Sequence, residues 1–87
     1  MVTPYTEQVA DNIRIREFAA DTNEMDLVWH RDAATRKVTP LECNGWMFQF
    51  DDQPPVEMQE GETFIIEKET YHRVIKGDGK LVLKIEE

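Results

Sequence analysis

His30 and His72 are the only two histidines in the chain, and Asp32 stands two residues after the first. Residues two apart on a β-strand project from the same side, about 7 Å apart along the strand, so His30 and Asp32 can reach one ion. An imidazole nitrogen and a carboxylate oxygen suit zinc, iron, nickel or manganese. A second histidine, His72, arriving from a neighbouring strand would complete a two-histidine, one-carboxylate set with coordination positions left for water or substrate. The same residues also have a structural reading, in which His30 is a hydrogen-bonded interior group and Asp32 only opens the turn Arg31-Asp32-Ala33-Ala34. Arg36 bears on the choice, because a guanidinium cannot ligate a metal and repels a cation held beside it. Without a metal, Arg36 would hold an anionic ligand or pair with Asp32.

The elements that must position these residues follow period-2 patterns separated by turn residues. Ile13, Ile15 and Phe18 begin the series, and Met25, Leu27 and Trp29 then alternate with Asp26, Val28 and His30. Trp46, Phe48 and Phe50 share a face, and their run ends in the turn cluster Asp51-Asp52-Gln53-Pro54-Pro55. Val56 and Met58 mark a short edge strand, and Thr63 to Ile66 a buried one. Tyr71 to Ile75 and Leu81 to Ile85 flank Lys76-Gly77-Asp78-Gly79-Lys80, where the Asp-Gly pair predicts a tight hairpin. A short helix or helical turn is expected around Thr6 to Asp11. Several short strands with almost no 3.6-residue periodicity predict an all-β barrel or sandwich.

Length and charge set the bounds. The 87 residues predict one domain over 1–87, and so short a chain with apolar residues on both strand faces favours pairing as a homodimer. Ten Lys and Arg against eighteen Asp and Glu give a formal charge of −8, which disfavours nucleic acid and anionic membrane surfaces as partners and leaves a small molecule as the expected one. The single cysteine, Cys43, has no intrachain disulfide partner. With no secretory leader in the opening residues and no apolar run long enough to cross a bilayer, a cytoplasmic location is expected.

The order of these segments resembles the cupin superfamily of small β-barrels. Its first motif reads roughly Gly, five residues, His-x-His, three or four residues, Glu, six residues, Gly. In this chain Glu24 falls at the first glycine, His30 at the first histidine, Asp32 at the second, Arg36 at the glutamate and Cys43 at the closing glycine. The second motif reads Gly, five residues, Pro-x-Gly, two residues, His. Gly61 and His72 match its ends, while Glu67 and Glu69 fall at its proline and second glycine. The resemblance covers roughly residues 24 to 77 and implies a double-stranded β-helix, a jelly-roll barrel, with a metal or small-molecule site inside it. The order His-x-Asp followed by a distant His also resembles the iron dioxygenases built on the same barrel.

Three further side chains are candidates to bind a ligand: Arg36, Trp46 and Tyr71. Arg36 would orient an anionic group, Trp46 would line a pocket with Phe48 and Phe50 or else simply fill the core, and Tyr71 beside His72 would donate a proton or else pack. Cys43 reads as a structural thiol, and the acidic run Glu57 to Glu62 as a solvated loop and edge. The readings left open are a metal-dependent enzyme acting on a small polar or anionic substrate, a metal-free ligand-binding module, and a structural barrel with a filled interior.

Overall fold

The computed structural model describes residues 3–87. Eight strands form two antiparallel sheets that face each other: β1 (Thr6–Ala10), β2 (Ile13–Phe18), β3 (Arg36–Glu42), β4 (Met47–Phe50), β5 (Val56–Glu57), β6 (Phe64–Ile66), β7 (His72–Ile75) and β8 (Leu81–Glu86). The larger sheet has the order β1-β2-β8-β3-β6, and the smaller one β5-β4-β7. This is the all-β architecture expected from the strand pattern, in the jelly-roll form that the cupin resemblance implies. Among the described residues no helix is long and apolar enough to cross a membrane.

The core lies between the sheets. Leu81, Leu83 and Ile85 alternate inward along β8, beside Val38 of β3 and Ile66 of β6 on the same sheet, while Phe48 comes from the opposing sheet. Trp46 is fully buried at the corner before β4, and its indole Nε1 donates to the Gly79 carbonyl at 2.8 Å. Cys43 is buried beside it in the core, as a structural thiol should be. Burial, with the nearby Glu60 and Glu57 carboxylates, pushes its thiol above the ordinary range.

Three local expectations are corrected. Thr6 to Asp11 is not helical: Thr6–Ala10 is strand β1, paired with β2 across a turn in which Asp11 takes a left-handed φ of 55°. Met25 to Trp29 is not a strand. Asn23 accepts the Met25 N–H at 2.9 Å and caps one turn of 3-10 helix over Glu24–Asp26, so local capping overrides the alternation, and Met25 and Val28 stay exposed.

The third correction concerns the last two strands, which are not a hairpin. β7 pairs with β4 in the small sheet, whereas β8 pairs with β2 and β3 in the large one, so Lys76–Lys80 is a crossover between sheets. Its glycines serve close approach: neither Gly77 nor Gly79 has a positive φ, and the crossover lies against the β3–β4 corner. Asp78 N–H donates to the Asn44 carbonyl and Asn44 Nδ2 to the Lys80 carbonyl, both at 2.8 Å. A Cβ on Gly77 would overlap the backbone of Asn44, Gly45 and Trp46, whereas the nearest atoms to one on Gly79 belong to the Asn44 side chain. Gly77→Ala should therefore destabilise the fold by about 3 kcal/mol and Gly79→Ala by clearly less, as read from urea unfolding midpoints. Equal costs would show that the crossover is not wedged against that corner.

Candidate metal and ligand site

The two histidines meet through their backbones. His30 N–H donates to the His72 carbonyl at 3.0 Å and His72 N–H to the His30 carbonyl at 2.9 Å, forming an isolated antiparallel bridge. Directly opposed residues in such a pair project to the same face. Their rings accordingly lie edge to face with centroids 4.3 Å apart. Asp32, two residues beyond His30, reaches the same point, with Oδ2 3.4 Å from His72 Nε2. One ligand atom from each of the three residues can be chosen so that all lie within 4.8 Å of one another. The convergence expected from the spacing is therefore present.

The loop carrying Asp32 is stitched to the loop before β7. Glu69 N–H donates to the Asp32 carbonyl at 2.7 Å, Lys68 N–H donates to Thr35 Oγ1 at 3.1 Å, and Arg31 pairs with Glu69 at 3.3 Å. These contacts hold the carboxylate on one side of the site while β7, paired along β4, holds His72 on the other.

Hydrogen bonding also fixes which ring nitrogens face the site. His30 Nδ1 lies 3.0 Å from the Val28 carbonyl and His72 Nδ1 lies 2.8 Å from the Thr70 carbonyl. A carbonyl oxygen can only accept, so each Nδ1 carries a proton, and in the neutral form of either ring the lone pair is on Nε2. Burial lowers the His72 pKa from its ordinary value, and His30 and Arg36 add to this, while the Thr70 carbonyl and Asp32 pull the other way. A neutral His72 then sets its Nε2 lone pair against the Asp32 carboxylate at 3.4 Å. Two acceptors at that distance call for a cation or a proton between them, and burial opposes the proton. The donor set fits a transition metal on these grounds.

Arg36 does not lie between the histidines. Its Nη1 is 3.5 Å from Asp32 Oδ1, on the carboxylate edge away from His72, and its Nε donates to Glu87 at 3.0 Å. It lines a cavity of about 530 Å³ that also takes in His30, Asp32 and His72. Most of the wall is apolar, including Phe18, Val38, Phe48, Phe64 and Leu83. The other two ligand candidates lie elsewhere. Trp46 belongs to the core, and Tyr71 is exposed, with the Arg31 guanidinium 5.3 Å from its ring centroid. Strand parity explains Tyr71: the residue before an inward histidine faces outward.

A cavity residue outside the sequence-derived set is Arg16. On β2 the inward face carries Arg14, Arg16 and Phe18, which sit opposite Ile85, Leu83 and Leu81 of β8. The outward face carries Ile13 and Ile15, the reverse of what the isoleucines suggest. The available signal was Phe18, whose parity matches the arginines.

No protein-family model and no curated protein sequence matches the chain. Solved structures match it in three dimensions. A cupin domain from Bordetella pertussis aligns at 21% identity over 99% of this chain and 96% of its own, with a TM-score of 0.63. The chain has the cupin fold. Two larger proteins contain a similar cupin barrel. A DMSP lyase structure aligns at 10% identity over 84% of this chain, with a TM-score of 0.71, and an iron(II) form of HppE aligns at 15% identity over 93%, with a TM-score of 0.68. The chain spans only 35% of the lyase chain and 47% of the HppE chain.

His72 takes up a proton less readily in the folded chain than in the unfolded one, whose value is near 6.5. Its contribution to stability is therefore complete above that pH and is lost as the pH falls through and below it. In metal-free protein the urea midpoint should drop between pH 7.5 and pH 5, and the drop should be smaller in His72→Gln. An identical drop in both proteins would place the pH dependence elsewhere.

Proposed function

We propose that this chain holds one divalent transition metal on His30, Asp32 and His72 and binds a small molecule in the adjoining cavity. The observation that carries the reading is the convergence of two imidazoles and a carboxylate on one point, with His72 Nε2 and Asp32 Oδ2 facing each other 3.4 Å apart. A bound metal would supply a Lewis acid with positions open to water or ligand. Zinc, iron, nickel and manganese all suit two imidazoles and one carboxylate. The iron(II) and cobalt(II) forms of HppE support the choice of a transition metal in a barrel of this shape. The protein's own part is to keep both rings in the ligating tautomer and to wall the site with apolar side chains. The wider proposal is a cytoplasmic homodimer whose partner is the small molecule rather than nucleic acid or a membrane.

A second reading rests on the Arg36 contact with Asp32. In it, Arg36 neutralises the carboxylate, and the cavity binds its ligand without metal. The two readings separate in one titration. Untagged protein stripped of metal should take up one equivalent of zinc, and His72→Ala should lower the affinity at least about 100-fold while keeping the β-sheet circular-dichroism spectrum, since removing even a supporting partner of a ligand costs 10- to 100-fold. Arg36→Gln should bind zinc more tightly than the parent, because a cation is removed from beside the ion. Zinc uptake that is absent, or unchanged in His72→Ala, would favour the metal-free reading.

A further inference from the structure

Arg16 stands on the inner face of the large sheet, away from the histidines yet on the same cavity. It is opposite Leu83 of β8, which is opposite Pro40 of β3, and Arg36 lies four residues back along β3. Two strand spacings and four residues of rise put the Arg16 and Arg36 backbones about 16 Å apart. Both line the cavity of about 530 Å³.

The surroundings of Arg16 fix its guanidinium and leave part of it free. Glu7 Oε2 accepts from Arg16 Nε at 2.7 Å and lies 2.7 Å from Nη2, while the guanidinium carbon sits 3.9 Å from the centroid of the Tyr5 ring. The other Glu7 oxygen is taken by Arg14 Nη1 at 3.0 Å. Burial alone would raise the Glu7 pKa, but the two arginines outweigh it and hold the carboxyl below its ordinary range. Glu7 is thus shared between two guanidiniums, a local net charge of +1 in a chain whose total is −8, and of the three residues Arg16 is the one that lines the cavity. Among the described residues no acceptor bonds Arg16 Nη1, and the side chain is only 12% exposed. The end of a guanidinium, braced along one edge and one face, is shaped to take a carboxylate through two parallel N–H bonds.

We infer that Arg16 is an anion-recognition residue and that the ligand of this cavity is a small monocarboxylate with an apolar body. Its carboxylate sits on Arg16 and its body lies along Phe18, Leu83, Phe48 and Val74 toward the histidines. A single local positive charge and an apolar wall select against a strongly hydrated dianion such as phosphate. Arg36 is less available for this role, because Asp32 and Glu87 already engage it. The inference rests on the cavity being the ligand chamber. It does not require a metal.

The test uses metal-free protein, so that a carboxylate cannot gain affinity from an ion, and compares octanoate with octanamide by amide chemical-shift titration at pH 7.5. Octanoate should bind at least about tenfold more tightly than octanamide, with shifts on β2 and around Tyr5 and Phe18. Arg16→Gln should remove that preference without weakening octanamide. Should Arg16→Gln fail to fold, Arg16→Lys, which keeps the charge but not the paired N–H groups, should reduce the preference. Equal binding of the two probes, a preference that survives in the folded variants, or no saturable octanoate binding would overturn the inference. Zinc uptake by the unsubstituted protein, measured on the same preparation, reports on the metal site separately. Its failure alongside a retained octanoate preference would sink the metal reading and leave Arg16 standing.

Discussion

The reciprocal backbone hydrogen bonds between His30 and His72 are the constraint on which the site depends. His30 belongs to no extended strand, so this one antiparallel pair is what sets its ring beside that of His72. Asp32 reaches the same side, with its Oδ2 3.4 Å from His72 Nε2. The carbonyls of Val28 and Thr70, each two residues before its histidine, then fix the tautomers. Phe48 stacks on the His72 ring at 5.5 Å and ties the site to the core. Position and tautomer of the two imidazoles thus come from backbone hydrogen bonds, and burial beside Phe48 holds the His72 pKa below its ordinary value.

The charges inside the barrel are arranged against the overall charge of the chain. Its acidic excess faces mostly outward, where water screens it, while Arg14, Arg16 and Arg36 sit on the inner face of the large sheet, each paired with a carboxylate. An unpaired charge in an apolar chamber is costly, and a paired one far less so. The chamber therefore has two distinct polar ends joined by apolar walls, with His30, Asp32 and His72 at one and the Arg16 guanidinium at the other.

Much of this was legible in the sequence because strand geometry is local. The two-residue spacing of His30 and Asp32 predicts that both side chains reach one point, which they do, although only His30 is bridged, and Leu81 to Ile85 is the strand that its apolar run predicts. What was not legible depended on which sheet each strand joins. Asp78-Gly79 has the composition of a hairpin turn, but its glycines answer to the close approach of Asn44 and Trp46, a tertiary fact. Tyr71 could have been excluded by parity with His72. Trp46 could not, because its burial depends on the corner at which the two sheets meet. Arg16 was hidden by Ile13 and Ile15, which suggest an apolar inner face where the chain in fact turns them outward.

The protonation pattern of the two imidazoles tests the account most directly, through long-range proton–nitrogen correlation spectra of metal-free protein at pH 7.5. Both rings should appear as neutral tautomers protonated at Nδ1, and both Nε2 resonances should move together on addition of one equivalent of zinc. A His72 ring found as imidazolium, or protonated at Nε2, would contradict it, because the Nε2 nitrogen would then donate to Asp32 and the site would be complete without a metal.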